Sequence, residues 1–372
     1  MRKIIGWLNE SAYIAPLSPG CKMCANGSKL VVLITGLCPA KCFYCAISFE
    51  KGGKDRIFAD EWELDDENDI EKLIREAEYI DATGAGVTGG DPLVVWKRVK
   101  DYISLLKDTF GDGFHIHLYT SGLKNGEHIV DLVSAGLDEI RFHPSPRYWS
   151  TMERSPIVHT IKNVLETSVD VALEIPVIPQ MEDQMFSLVK WANEIGVKWV
   201  NLNELEYSER NVDNLNRRKY TVKDDVSAAV KGSQESANKV LAMVADEDFE
   251  IGVHYCSSSF KDGVQLTNRI KRRANNIAMD YEIISDEGTL LKGLIIAQSV
   301  ASLPTLYKSL KQEFNISDNH IFLNKEKSRI EIGLWILEEI ALVLRERGLQ
   351  CYMVEEYPTA DGLEVERIPL PL

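Results

Sequence analysis

The stretch VVLITGLCPAKCFYCAIS, residues 31–48, decides how the rest of the chain is read. Its first six residues are β-branched and apolar and end on Gly36, the pattern of a strand buried on both faces. The residues that follow pack Cys38, Cys42 and Cys45 onto a short loop at that strand's C-terminal end. Downstream, strand-like runs recur, each after an amphipathic helix-like stretch: GAGVTGG (84–90), FHIHLYTSG (114–122), LDEIRFHPSP (137–146), VDVALEIPVIP (169–179) and VKWVNLNELEYS (197–208). With residues 31–36 these make six βα-type units and no tight hairpin. The pattern predicts an α/β chain with a parallel sheet and right-handed crossovers, a partial (βα)6 TIM-like barrel open on one side. Chemistry in such barrels sits at the C-terminal ends of the strands, which puts the cysteine loop on the working face.

The composition sets bounds on this reading. At 372 residues, 45% apolar and 27% charged, the chain has the make-up of an ordinary globular protein with room for one large and one small domain. A net charge of −15 argues against bulk attraction to nucleic acid or an anionic membrane. No apolar run reaches the ~20 residues that span a bilayer. Asn9, Glu10 and Ser11 interrupt the N-terminal MRKIIGWLNESAYIAPL, which makes it a poor signal peptide, and a cytoplasmic location is expected. Seven cysteines, five of them between residues 21 and 45, suit metal or redox chemistry in a reducing compartment better than a disulfide framework. Residues 209–235 are polar and read as a surface loop with some helix. A helix-like stretch, the strand-like FEIGVHYC (249–256) and the basic helix VQLTNRIKRRANNIA (264–278) follow. From about residue 280, paired strands and two helices replace the βα rhythm. The expected organisation is an N-terminal cysteine-bearing segment (1–29), the barrel and its extension (30–279) and a small α+β domain (280–372).

Three thiolates on one short loop can hold three irons of a cubane cluster and leave the fourth iron without a protein ligand. Zinc prefers four ligands in paired knuckles, a different spacing. Cys38-x3-Cys42-x2-Cys45, with Tyr44 before the third cysteine and the whole placed after the first barrel strand, resembles the radical S-adenosylmethionine (radical SAM) superfamily. The resemblance implies the partial barrel and a [4Fe–4S] cluster whose open iron binds the amino and carboxylate groups of SAM. It also implies an external electron donor of flavodoxin or ferredoxin type, and reductive cleavage of SAM to a 5′-deoxyadenosyl radical that abstracts hydrogen from a substrate. Thr88-Gly89-Gly90-Asp91-Pro92 is similar to the family's Gly-Gly-Glu-Pro motif, whose backbone binds the SAM amino group, with Asp91 in place of Glu. Two glycines there let backbone approach a ligand closely. By the same resemblance Tyr44 lies beside adenine, Thr120 and Ser121 meet the SAM carboxylate or ribose, and Glu174 meets ribose and adenine; a helix cap explains Thr120-Ser121 equally well. With CKMCANGSKL ahead of the barrel, the chain is similar to an archaeal-type group loosely related to pyruvate formate-lyase activating enzymes, which are shorter and lack its tail. A protein or peptide is the first substrate class this implies. RNA modification and cofactor biosynthesis are the alternatives among enzymes, and an iron–sulfur scaffold or carrier is the alternative outside catalysis. A carrier has no need of the Gly89-Gly90 feature.

Further residues carry chemistry. Arg141 and His143 end the fourth strand and are expected to face the site and line a substrate pocket, with a core or surface role as the alternative for each. NLNELE (201–206) brings Asn201, Asn203 and Glu204 to the end of the sixth and is expected to line a substrate pocket, although alternation puts the asparagines on one face and Glu204, with Leu202 and Glu206, on the other. Cys21-x2-Cys24 is a knuckle-like pair, and Cys256 with His254 supplies distant partners for a second metal site. That site would be a second iron–sulfur cluster or a zinc; three ordinary reduced cysteines are the plain reading. Cys351 reads as buried core. Arg269, Arg272 and Arg273 share a helical face, which could bind a phosphate, a carboxylate or RNA, or simply be solvated.

Overall fold

Eleven strands form the sheet of the first unit: β1 (Ile4–Gly6), β2 (Ala12–Ile14), β3 (Lys29–Thr35), β4 (Ile57–Ala59), β5 (Trp62–Leu64), β6 (Gly84–Gly89), β7 (His115–Thr120), β8 (Glu139–Phe142), β9 (Asp170–Val177), β10 (Trp199–Glu204) and β11 (Gly252–Cys256). Their order is β1-β2-β11-β10-β9-β8-β7-β6-β3-β4-β5, and the path does not close. All pairings from β3 through β6–β10 to β11 are parallel, so the six expected strands are present and β11 adds a seventh. The computed structural model describes residues 2–223, 227–297 and 299–370; residues 224–226 of the expected polar loop lie outside these.

Period-two alternation sorts the side chains of these strands. Ile116 and Leu118 of β7, Ile140 and Phe142 of β8, Leu173, Ile175 and Val177 of β9, and Val200 and Leu202 of β10 are fully buried in the main core. Helices such as Trp96–Phe110, through Val99, Ile103 and Leu106, contribute to the same core. The other face holds His117, Tyr119, Arg141, Glu174, Asn201 and His254. A TIM barrel ordinarily fills its interior with branched apolar residues. Here the interior is polar, so each buried group must find a partner.

One helix plugs the N-terminal mouth of this interior. α1 (Pro19–Asn26) starts at Ser18, whose hydroxyl accepts the Cys21 N–H at 3.2 Å, has Pro19 in its first turn and ends at Gly27 in the left-handed region (φ 67°). It packs on the starts of β3, β6 and β7. A Cβ at Gly84 would stand 2.6 Å from the Met23 sulfur, and one at Gly20 would stand 2.5 Å from the Arg141 guanidinium, so both glycines are required for this seat.

Several expectations change. Two antiparallel hairpins were not anticipated: β1–β2 joins β11, and β4–β5 joins β3. Their strands are three residues long and the β4–β5 turn has no glycine; Asp60 takes φ 50° instead, which Asp tolerates. Residues 1–29 are therefore an integral part of the first unit. The chain divides after Leu266 rather than at 280, into Met1–Leu266 and Thr267–Leu372. The RIKRR helix (Thr267–Ile277) belongs to the second unit: Arg273 is buried and donates to the Pro358 carbonyl, which removes it from the expected solvent-facing trio.

The second unit is an antiparallel sheet of β12 (Ile283–Ile284), β13 (Leu290–Ile296), β14 (Ile321–Asn324), β15 (Arg329–Ile332), β16 (Gln350–Glu356) and β17 (Glu364–Leu370), ordered β14-β15-β13-β16-β17 with β12 on β13. Helices Leu303–Glu313 and Leu334–Glu346 supply Leu310, Leu337 and Leu344 to its own core, which includes Cys351.

Candidate active site

The cysteine loop is held by what lies beneath it. β3 carries a bulge against β6, so that Leu33 pairs with Thr88 but Thr35 with Gly89. Gly90 N–H donates to Thr35 O at 2.7 Å and Asp91 N–H to Leu37 O at 2.8 Å. A Cβ at Gly90 would meet Leu37 O at 2.2 Å, and Gly89 has φ 134°; both positions admit glycine alone. The Thr88–Asp91 segment and the cysteine loop are thereby locked together as one surface.

That surface borders a cavity of about 250 Å3 at the C-terminal ends of the strands. Cys38, Cys42 and Cys45 line it, all as free thiols, facing Thr88, Gly89 and Gly90. Thr120 and Ser121 line it as well, and both are set by Asp91. The buried Asp91 carboxylate accepts from the Thr120 hydroxyl at 2.7 Å, from the Ser121 hydroxyl, and from the Ser121 and Leu93 N–H groups at 3.2 Å each. Asp91 itself is absent from the cavity lining, so its part in the motif is to position other groups. Tyr44 and His143 form a further wall, joined by a 2.8 Å hydrogen bond between the phenol and Nε2. Burial raises the Tyr44 pKa and lowers that of His143, so both are neutral at pH 7.

A second cavity of about 230 Å3 lies deeper, toward α1, and shares Tyr119, Arg141, Glu174 and Asn203 with the first. The Arg141–Glu174 pair, at 2.9 Å, stands at this boundary. Glu174 also accepts from Asn203 at 2.8 Å and Asn201 at 3.1 Å. Burial pushes its pKa up, but Arg141 and the two amides outweigh that and hold it below the usual carboxylate range. Arg141 further donates to Glu139 at 2.6 Å and to Ser18 at 2.8 Å, so its guanidinium is fully engaged. Cys21, Cys24, Cys256 and His254 line this deeper cavity together. For Cys21, burial raises the thiol pKa, but Arg141 and His254 outweigh it and bring it to about 6. Among the described residues, no three His, Cys, Asp or Glu side chains are placed to hold a single metal ion.

Glu204 is not part of either wall, against expectation. Alternation along β10 turns it outward, where it is buried and accepts the Ser258 N–H at 2.8 Å. Other residues were missed. Asn211, buried, clamps the cysteine loop by donating to Tyr44 O at 3.1 Å and Glu206 O at 2.9 Å. Lys29 and Tyr119, 3.3 Å apart, and Lys261 line the deeper cavity. Tyr119 alternates with His117, a signal that could have found it; Asn211 left none.

A model of the radical SAM superfamily matches residues 32–192, and one of a domain of unknown function, DUF8061, matches residues 288–370. A Methanocaldococcus jannaschii protein, provisionally named as a glycyl-radical enzyme activating enzyme, is 38% identical over 368 residues, spanning 95% of this chain and 93% of that one. The chain belongs to the radical SAM superfamily. It is an enzyme whose cofactors are a [4Fe–4S] cluster and SAM, and whose reaction is the reductive cleavage of SAM for hydrogen abstraction. Among solved structures it is similar to Streptococcus suis SuiB bound to SAM (TM-score 0.44, 11% identity, 62% of this chain and 50% of that chain). It is also similar to the radical SAM methyltransferase TsrM of Kitasatospora setae with cobalamin and a [4Fe–4S] cluster (TM-score 0.35, 10% identity, 67% and 52%). The chain spans about half the length of these solved chains, and likenesses this loose decide nothing further. No helix among the described residues is long and apolar enough to cross a membrane.

Proposed function

We propose that Cys38, Cys42 and Cys45 hold the [4Fe–4S] cluster, that SAM occupies the 250 Å3 cavity beside it, and that the substrate is a protein whose glycine is converted to a glycyl radical. The observation that carries the placement is the convergence of three free thiols, the Gly89–Gly90 backbone and the Thr120–Ser121 hydroxyls on one cavity. The donor set fits the group: soft thiolates are the ligands iron–sulfur clusters take, and the loop offers three of them. When bound and reduced, the cluster supplies the electron that splits SAM into methionine and a 5′-deoxyadenosyl radical. The chain's own work is to bind, orient and exclude water. Gly89 and Gly90 let the backbone close on the ligand. Asp91 takes the hydroxyl protons of Thr120 and Ser121 and so presents their oxygens toward it as acceptors. Tyr44 and His143, neutral and hydrogen-bonded to each other, give a wall that puts no charge beside a radical. The electron comes from an external flavodoxin- or ferredoxin-type donor. Cys38 is exposed, and the exposed Lys41 gives an acidic donor a local cation on a chain of net charge −15. The protein substrate rests on the name of the M. jannaschii relative.

Reconstituted protein with dithionite and SAM should release 5′-deoxyadenosine, and Cys38→Ala, Cys42→Ala or Cys45→Ala should each abolish it. An intact cluster in the wild type without the product would overturn the placement of SAM. Host extract whose proteins carry deuterated glycine should pass deuterium into 5′-deoxyadenosine, and release of undeuterated product alone would reject the glycine assignment.

A further inference from the structure

We propose that Cys21, Cys24 and Cys256, with His254 as fourth ligand, hold a second iron–sulfur cluster in the deeper cavity of the barrel. This site stands independently of how the upper cavity is used. Its donors come from opposite ends of the first unit: α1 brings Cys21 and Cys24 through the N-terminal mouth, while β11 brings His254 and Cys256 on the inward face at positions i and i+2. All four line one cavity of about 230 Å3. His254 is 4% exposed, with the Cys21 thiol beside it and no other partner for its ring nitrogens. A buried imidazole so poorly satisfied is costly, and a ligand in the cavity it faces removes that cost.

The surroundings match thiolate ligation of a cluster. Each sulfur has its own cationic or amide N–H donor. Arg141 reaches Cys21 at 3.8 and 3.9 Å, Gln265 reaches Cys256 at 3.6 Å, and the Lys29 ammonium lies against Cys24. Hydrogen bonds to the sulfurs are a standard second layer of iron–sulfur sites, where they orient the ligands and tune the potential. Lys29, Arg141 and Lys261 place three cations around the cavity, against the net negative charge that a thiolate-held cluster brings.

The test uses the full chain, purified and reconstituted without oxygen. The triple variant Cys38→Ala/Cys42→Ala/Cys45→Ala should keep about half of the wild-type iron and sulfide, as expected for two clusters of equal size. Its electron paramagnetic resonance signal, after reduction, should not respond to SAM. His254→Ala in that background should keep the iron but shift the signal, because the fourth ligand changes. If the triple variant fails to fold, the same cluster is sought in the wild type, as a second reduced signal that SAM leaves untouched while shifting the first. Iron lost completely with the first three cysteines, zinc as the retained metal, or a Cys21–Cys24 disulfide in the anaerobic protein would each overturn the proposal. So would a wild type with one cluster signal only.

Discussion

At the residue scale, Asp91 shows what the side chain of a backbone-binding motif does. The family motif carries Glu where this chain has Asp, and the resemblance assigns the ligand contact to its backbone. In the structure the carboxylate is 1% exposed, turned away from the cavity and saturated by Thr120, Ser121 and Leu93. Its length is matched to those partners. Asp91→Glu installs the family residue yet adds a methylene to a closed site, where overpacking costs about 1–3 kcal/mol. SAM affinity, read by calorimetry on the reconstituted protein, should fall about ten-fold, the equivalent of ~1.4 kcal/mol. Unchanged or tighter binding would mean that the carboxylate reaches the ligand after all. Arg141 was expected to face a substrate. It does line the cavities, but Glu139, Glu174 and Ser18 take up its donors, so its first role is to neutralise a polar barrel interior.

At the scale of elements, the decisive contact is between the end of β6 and the loop after β3. Gly90→Ala would drive a Cβ to 2.2 Å from the Leu37 carbonyl and 2.7 Å from the Gly36 backbone, and backbone cannot yield as a flexible side chain can. The variant should lose at least ten-fold in the rate of 5′-deoxyadenosine release while the fold, followed by circular dichroism, persists; a rate within two-fold of wild type would show that the two segments are not rigidly coupled. This junction was largely legible in sequence, because β-branched runs ending in glycine announce buried strands and cysteine spacing is explicit. The hairpins β1–β2 and β4–β5 were not, since three-residue strands carry no periodicity and Asp60 replaces the expected turn glycine. Glu204 was a misapplied rule: alternation already separated it from Asn201 and Asn203. The seat of α1 was illegible for a different reason. It depends on Gly84 leaving room for Met23 and Gly20 leaving room for Arg141, a non-local fit that no local pattern encodes.

At the scale of the whole molecule, the two units carry separate cores and opposite uses of buried charge. The barrel interior arranges its charges around cavities. The second unit closes its own into a compact knot of paired side chains. Lys292 lies 2.6 Å from Glu282, 2.9 Å from Glu356 and 3.6 Å from Glu331, and Arg329 holds Glu331 and Glu356 at 2.6 Å each. Burial pushes both Glu331 and Glu356 up, but Lys292 and Arg329 outweigh it and leave them below the usual carboxylate range. A depressed folded-state pKa contributes stability that is complete above the unfolded value, about 4.3 for Glu, and is lost as pH falls through the folded value. Lys292→Met removes the cation and leaves the carboxylates facing one another. Breaking a buried network in this way costs about 3–5 kcal/mol. In urea melts at pH 7, the transition of the second unit should move to lower denaturant while that of the first holds. The variant's acid loss should also begin at a higher pH than the wild type's, because carboxylates deprived of their cation protonate sooner. SAM cleavage should be unchanged, since every group assigned to it lies in the first unit. A variant that loses stability at pH 7 but titrates like the wild type would place the acid dependence in other carboxylates, and the network would then owe its stability to packing rather than to charge.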